Sequence, residues 1–101
     1  LVGGLGNDTL IAGGGVDTMT GGGGADTFVF NAGTAAGDRI TDFTPGTDHL
    51  DFHGYAAGAT FTYVSTTIAG SVWRIAQQGV TEDILLPATV TSLSSTDYAF
   101  G

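Results

Sequence analysis

The sequence predicts an all-β fold made of short strands separated by glycine turns. Three observations lead to this prediction: a period of nine over residues 3–29, alternating apolar residues along residues 28–52, and three β-favouring runs within residues 60–86. Alternation with a period of two places successive side chains on opposite faces of a strand. We therefore expect sheets with one apolar face over most of the chain.

The glycine-rich start consists of three nonapeptides that agree column by column. They read GGLGNDTLI from Gly3, AGGGVDTMT from Ala12 and GGGGADTFV from Gly21. The second and fourth positions are glycine, the sixth is aspartate and the eighth is large and apolar. These columns hold Gly4, Gly13 and Gly22; Gly6, Gly15 and Gly24; Asp8, Asp17 and Asp26; and Leu10, Met19 and Phe28. A flexible linker needs neither aspartate nor a bulky residue at a fixed phase, so we interpret the segment as a structural repeat.

The chemistry of each repeat suits a hard cation. Calcium takes six to eight oxygen ligands from carboxylates and backbone carbonyls. Glycines ahead of an aspartate let the backbone turn sharply and direct carbonyl groups inward. The triplet that follows each aspartate is β-favouring. Each nonapeptide therefore predicts an oxygen-lined turn followed by a short strand.

The pattern G-G-x-G-x-D-x-U-x resembles the calcium-binding nonapeptide of the RTX, or haemolysin-type, family. The resemblance implies a parallel β-roll in which successive strands go to opposite sheets and aspartates 18 residues apart stack. Asp8 and Asp26 form such a pair, whereas Ala35 stands at that offset from Asp17, and Asp38 closes this second site if the intervening segment bulges. The resemblance also implies carbonyl ligands from the glycine turns, with Gly4, Gly6, Gly13, Gly15, Gly22 and Gly24 as the candidates.

The segment GDRITDFTPGTDHLDF, residues 37–52, resembles the one that closes the roll in serralysin-type metalloproteases, related lipases and alginate epimerases. Its acidic columns hold Asp38, Asp42, Asp48 and Asp51. A carboxylate at such a position either binds calcium or caps a turn, and both interpretations stay open. Asp38 and Asp48 are the favoured metal ligands, and residues 44–47 (TPGT) predict a turn between two strands.

The remaining β-favouring runs predict an antiparallel sheet that caps the roll. TFTYVS, SVWRIAQ and VTEDILL are separated by turns at Gly70 and Gly79, and their large aromatic residues Phe61, Tyr63 and Trp73 are expected in the core. A cap covers the apolar surface and open strand edges of the last coil. We expect residues 1–52 to form the β-roll with its closing segment and residues 53–101 to form the cap, as one structural unit. The end, VTSLSSTDYAFG, resembles an uncleaved type I secretion signal, and the alternative is a last edge strand.

Composition excludes several other functions. The 101 residues include ten acidic residues, two arginines and no lysine, for a net charge of −8, which leaves no basic patch for nucleic acid. No apolar run approaches the roughly 20 residues of a membrane span. His49 and His53 have the spacing of a zinc-protease motif, but Leu50 takes the place of its glutamate and the surrounding pattern is that of a strand. We therefore expect a module without catalytic activity.

Together, these patterns predict the all-β, calcium-binding C-terminal module of a larger bacterial protein exported by type I secretion. The resemblance implies calcium ions and the secretion machinery as partners, with folding outside the cell when calcium binds. The alternative, drawn from the likeness to alginate epimerases, is a carbohydrate-binding accessory module for an anionic polysaccharide. Two arginines make that alternative weaker unless calcium bridges the negative charges.

Overall fold

The computed structural model describes residues 1–100, and all ten regular elements within them are β-strands. The strands are β1 (Val2–Gly4), β2 (Thr9–Ile11), β3 (Thr18–Gly22), β4 (Thr27–Asn31), β5 (Arg39–Ile40), β6 (His49–His53), β7 (Thr60–Thr67), β8 (Gly70–Gln77), β9 (Val80–Leu86) and β10 (Tyr98–Phe100). The all-β prediction is thus confirmed. Over the same residues, no helix is long and apolar enough to cross a membrane.

The first six strands alternate between two sheets, as the family resemblance implies. One sheet has the order β1-β3-β5-β9-β8-β7 and the other the order β10-β6-β4-β2. Thr9 pairs with Thr27 and Val2 pairs with Thr20, both in parallel register and both 18 residues apart. One coil of the structure therefore takes two nonapeptides, which confirms the parallel β-roll.

The eighth position of each repeat fills the space between the two sheets. In one sheet Leu10 pairs with Phe28, and Phe28 pairs with Leu50. In the other sheet Met19 pairs with Ile40. All five side chains are buried. Residues that alternate with these five point outward in the shortest strands, while β4 and β6 each bury a second phenylalanine, Phe30 and Phe52. Each such burial stabilises the fold by about 1.5–3 kcal/mol.

The three predicted β runs form the antiparallel strands β7, β8 and β9, but they are continuous with the roll. β9 pairs in parallel with β5 through Leu85 and Arg39, and the Leu85 N–H donates a 2.9 Å hydrogen bond to the carbonyl oxygen of Asp38. The other sheet is extended in the same way, since Tyr98 of β10 pairs in parallel with Leu50. Both sheets thus run across the predicted division at residue 52, and the tail supplies an edge strand. Gly101 lies outside the described residues.

An aromatic cluster joins the roll to the cap. The Phe52 ring lies 4.9 Å from the ring of Phe61 and 4.9 Å from that of Phe100, centroid to centroid. Trp73 stacks on Phe61 at 5.0 Å, and its Nε1–H is bonded to the carbonyl oxygen of Val90 at 3.1 Å. Phe61 and Trp73 are buried as predicted. Tyr63 differs, because it packs edge-on against Trp73 from a position on β7 that leaves it 39% exposed.

Candidate metal centre

The aspartates of the roll form two columns, one on each side. On the first side, the Asp8 N–H donates to Oδ1 of Asp26 at 2.9 Å, and the Asp26 N–H donates to Oδ1 of Asp48 at 2.9 Å. On the second side, the Asp17 N–H donates to Oδ1 of Asp38 at 2.8 Å. Each carboxylate therefore reaches back to the aspartate of the preceding coil. The stacking of Asp8 and Asp26 that the family resemblance implies is thus observed.

The second column depends on a widened turn. The loop between β4 and β5 is tightened by a 3.1 Å bond from the Thr34 N–H to the Asn31 carbonyl and a 3.0 Å bond from the Asp38 N–H to the Ala35 carbonyl. Ala35 itself is buried. The loop absorbs three extra residues, so that Asp38 and not Ala35 stands beside Asp17 (21 positions apart against 18). This widening is the bulge on which the expected pairing of Asp38 with Asp17 depended.

Four of these aspartates have one carboxylate oxygen without a partner. The buried Oδ2 atoms of Asp8, Asp17, Asp26 and Asp38 accept no hydrogen bond. A buried polar atom without a partner costs about 1–3 kcal/mol, and more when it carries charge. These Oδ2 atoms therefore lack a positively charged partner. Two of them lie on each side of the roll, and hard oxygen atoms of this kind fit a calcium ion.

The glycine turns bring backbone oxygens to the same place on the first side. A Cβ atom added at Gly22 would collide with the carbonyl oxygen of Gly4, and one at Gly24 would collide with that of Gly6. Those two carbonyls therefore lie against the neighbouring turn, in the gap between coils. A Cβ at Gly3 would stand 2.6 Å from Oδ2 of Asp8, so only glycine leaves room beside that oxygen.

The turn over residues 12–17 is more open. Nothing lies within 4 Å of a Cβ added at Gly13 or at Gly15. Gly15 still has the positive φ (+83°) of the other glycine turns. The second side thus has less backbone packed around the glycines of this turn.

Asp48 differs from the other aspartates of its column because both its oxygens are occupied. Oδ1 accepts the Asp26 N–H and Oδ2 accepts the Thr44 N–H, each at 2.9 Å. Burial raises the pKa of Asp48, and these two hydrogen bonds oppose the rise. Of the two interpretations left open for Asp48, the geometry favours turn capping over metal ligation.

Two further acidic residues also cap turns. Asp42 accepts the N–H groups of Gly21 and Gly22 at 2.9 and 2.8 Å. Asp97 accepts those of Gly46 and Ser94, both at 2.8 Å. Burial alone would raise the pKa of Asp97, but these hydrogen bonds outweigh it and lower the pKa. The cap made by Asp97 across 51 residues carried no signal in the sequence, because the residues that it joins are far apart in the chain.

The aspartates on the second side of the roll carry negative charge that neither arginine compensates. Burial raises the pKa of Asp38 to about 6, and the neighbouring charges of Asp17 and Glu82 add to the rise while the Asp17 N–H opposes it. Arg74 forms two hydrogen bonds with Asp83 on the outer surface, at 2.8 and 3.1 Å, and Arg39 is exposed. Neither arginine neutralises the buried aspartates.

The two histidines lie on β6, in the strand setting that the sequence predicts. His53 pairs with Asp51 at 3.0 Å near the surface, and His49 Nδ1 lies 3.2 Å from the Thr96 carbonyl oxygen. Among residues 1–100, no group of three or more histidine, aspartate and glutamate side chains is placed to hold a metal ion. Any ion at the aspartate columns therefore needs backbone carbonyls as ligands.

A parallel roll of glycine and aspartate turns, closed by antiparallel strands, defines a class of solenoid modules. The chain belongs to the family described as Peptidase M10 serralysin C terminal, whose model matches residues 1–86, and its repeats are of the RTX type. The chain is also similar to the solution structure of the AlgE6R3 subunit from the Azotobacter vinelandii mannuronan C5-epimerase. That match has a TM-score of 0.66 and 30% identity, and it covers 97% of this chain and 65% of that one. No curated protein matches the chain significantly.

Proposed function

We propose that this chain is a calcium-binding, non-catalytic module of a larger secreted protein. The observation that supports the proposal most directly is the set of four buried, unpartnered Oδ2 atoms, paired as Asp8 with Asp26 and Asp17 with Asp38. A proton would satisfy one oxygen of a pair, whereas a calcium ion satisfies both and also takes up backbone carbonyls.

The first site lies between the turns over residues 3–8 and 21–26. Its carboxylates are those of Asp8 and Asp26, and its carbonyl donors come from Gly4, Gly6, Gly22 and Gly24. The second site lies between the turns over residues 12–17 and 33–38, with Asp17, Asp38 and the carbonyls of Gly13 and Gly15. Calcium supplies charge compensation at both, and the chain's own residues position the oxygens.

Calcium binding and folding are coupled in this proposal. The aspartates of each column are brought together only by the roll, so the unfolded chain has no formed site and binding contributes to the free energy of folding. Cytosolic calcium is scarce and extracellular calcium is plentiful, so the module stays unfolded during type I export and folds outside the cell. Residues 90–101 serve as the export signal, and β10 joins the roll after export.

The proposal is tested by far-UV circular dichroism of the whole chain at low ionic strength. We expect little β signal after dialysis against chelator and a β spectrum in about 1–10 mM calcium, which is above the dissociation constants of about 0.1–1 mM of weak extracellular sites. Magnesium at equal concentration is the control, because it demands a tighter octahedral shell and should not replace calcium. Identical spectra with and without calcium would refute the coupling of binding to folding.

Similarity to a subunit of a mannuronan C5-epimerase supports a second candidate function, contact with an anionic polysaccharide. Arg39 is exposed and Arg74 is held by Asp83, so the protein itself offers little positive charge for such a ligand. Bound calcium would have to bridge the carboxylates of the two partners. Titration with alginate in calcium and in chelator tests this, and binding in neither condition would exclude it.

A further inference from the structure

β7 is the longest edge strand of the molecule. It ends the order of the six-stranded sheet, and within residues 1–100 it pairs with β8 alone. The other edge strands, β1, β2 and β10, have three residues each, whereas β7 has eight. An edge strand leaves a row of backbone N–H and C=O groups free to pair with another strand. β7 therefore offers the longest such row among the described residues.

Most of β7 also lies outside the core. Only Phe61 is buried, and its ring contacts those of Phe52 and Tyr98 in the opposite sheet. The remaining residues of the strand are exposed. Tyr63 and Val64 on the strand, and Ile68 in the turn that follows it, are large apolar side chains in this exposed part. The second half of β7 thus combines a free edge with uncovered apolar surface.

The strand is ordered before any outer partner binds. The hydroxyl groups of Tyr63 and Thr66 form a hydrogen bond along the strand, and Thr67 Oγ1 donates to the Gly70 carbonyl oxygen at 3.1 Å. The sequence TFTYVSTT is rich in β-branched and aromatic residues, which favour strands. One irregularity, a shift of register between Tyr63 and Ser65, interrupts the pairing with β8. A second strand would therefore meet a preformed edge, which lowers the cost of ordering on association.

The surface around β7 carries no charge, although the chain has a net charge of −8. Residues 54–73 include no aspartate, glutamate, lysine, arginine or histidine. On the neighbouring strands β8 and β9, Arg74 and Asp83 form an ion pair on the outer surface, so their charges cancel. Natural edge strands commonly carry lysine, proline or inward-pointing charges that prevent pairing, and β7 has none of these. Like-charge repulsion between two molecules is therefore weakest when they approach through this edge.

These features favour a second copy of the same chain as the partner. Two copies of one strand that pair antiparallel are related by a two-fold axis, so each copy presents the same surface to the other. The contact brings together two molecules that each carry a charge of −8, and an uncharged edge makes the repulsion between them smallest. A partner recognised by charge would need complementary charges to bind, and β7 presents none.

We propose that β7 is a self-association surface through which two copies of the chain pair antiparallel and join their six-stranded sheets into one. The inference goes beyond the proposed calcium binding and needs only the folded chain. A strand of this length is about 27 Å long, and such a strip buries roughly 300–400 Å² per copy, against about 800 Å² in a standard interface. The dimer is therefore weak, with a dissociation constant on the order of 0.1 mM.

The test is sedimentation velocity of the full chain in calcium at about 0.01–1 mM protein, which spans the expected dissociation constant. Ser65→Lys, at an exposed position on β7, is compared with the matched control Ser95→Lys, at an exposed position before β10. Both variants gain one positive charge, so their net charges are equal. The parent chain and Ser95→Lys should dimerise, whereas Ser65→Lys should raise the dissociation constant at least about tenfold, because it places an ammonium group on the pairing edge.

Hydrogen exchange examines the strand directly. The amides of residues 60–67 should exchange more slowly as the concentration of the parent chain rises, because pairing protects those that face outward. If Ser65→Lys does not fold, Ile68→Lys replaces it, since Ile68 is fully exposed in the turn after β7. A weaker dimer in that variant supports the inference, and a dimer as strong as that of the parent chain overturns it.

Three other results would also overturn the inference. The first is a parent chain that stays monomeric at about 1 mM. The second is equal weakening of the dimer by Ser65→Lys and Ser95→Lys, which would place the contact elsewhere. The third is a dimer in which the exchange of residues 60–67 does not change. Failure of the proposed calcium binding is distinguished from all of these, because it appears as an unchanged circular dichroism spectrum and not as a change in mass.

Discussion

The backbone N–H of Asp17 donates a 2.8 Å hydrogen bond to Oδ1 of Asp38, although the two residues are three positions further apart than one coil of the repeat requires (21 against 18). The widened turn before β5 takes up these three residues and so brings Asp38 into line with Asp17. As a result, the second column of aspartates has two members, each with a buried oxygen that accepts no hydrogen bond.

Asp26→Asn should weaken calcium binding about tenfold or more. Asparagine keeps an oxygen that accepts the Asp8 N–H, so the change removes a charged ligand and leaves the hydrogen-bond ladder in place. The matched control is Asp51→Asn, which changes a carboxylate that pairs with His53 near the surface. Calcium titrations followed by circular dichroism give the midpoints, and equal midpoints for the two variants would contradict the assignment of Asp26.

The calcium-free protein should lose stability as pH rises through about 6. The pKa of Asp38 is raised by burial from 3.8 to about 6 in the folded state. The folded chain therefore holds a proton that the unfolded chain releases earlier. The stability from this group is fully present below pH 3.8, is lost by about pH 7, and amounts to at most about 3 kcal/mol.

Asp38→Asn isolates that contribution. In calcium-free buffer at pH 7 the variant should retain more β signal than the parent chain, because it removes a buried charge, and the difference should shrink towards pH 4. In calcium the order should reverse, because a ligand is lost. Far-UV circular dichroism in chelator and urea unfolding in calcium, each at several pH values, measure the two effects, and a calcium-free difference that does not vary with pH would argue against a raised pKa at Asp38.

Gly22→Ala should destabilise the calcium-bound fold by about 2 kcal/mol or more. Gly22 has φ of +89°, where a side chain costs about 1–2 kcal/mol, and a Cβ there also collides with the carbonyl oxygen of Gly4. Gly13→Ala is the control, since its Cβ would meet nothing within 4 Å and its φ is not positive. Thermal unfolding should leave Gly13→Ala within about 0.5 kcal/mol of the parent chain, and similar losses in both would be inconsistent with this turn geometry.

Phe52→Ala should cost about 3–5 kcal/mol in calcium, which is enough to unfold a small domain. Phe52 is fully buried and its ring contacts those of Phe61 and Phe100, so its removal opens a cavity where the roll meets the cap. Ile68→Ala changes a fully exposed side chain in the turn between β7 and β8 and should be nearly neutral. Chemical denaturation measures both, and a loss below about 1 kcal/mol for Phe52→Ala would show that the cluster does not couple the two parts.

Much of the first side of the roll could be predicted from residues alone. Asp8 and Asp26 hold the same position in their repeats, and Leu10 and Phe28 follow them two residues later. Local turn and strand chemistry, which repeats along the chain, sets these positions. The family resemblance implies a pairing partner two nonapeptides, or 18 residues, away, and the observed register between Thr9 and Thr27 is that pairing.

The contacts that close the roll could not be predicted in this way. Asp97 caps Gly46 across 51 residues, and Glu82 reaches Ala35 across 47. No local pattern encodes such distances, because they arise only when β9 and β10 take their places in the two sheets. Asp48, which has the pattern of a metal ligand, accepts the N–H groups of Asp26 and Thr44 and so has the geometry of a turn cap.

The sequence by itself determined the repeat, its all-β character and the excess of acidic over basic residues, since these depend on residue type and short-range spacing. The tertiary structure decided which carboxylates remain without donors. That outcome depends on how many backbone N–H groups the neighbouring coil and the residue's own turn present to each one. Asp38 receives one N–H and Asp48 receives two, and this difference of one hydrogen bond separates a candidate calcium ligand from a structural cap.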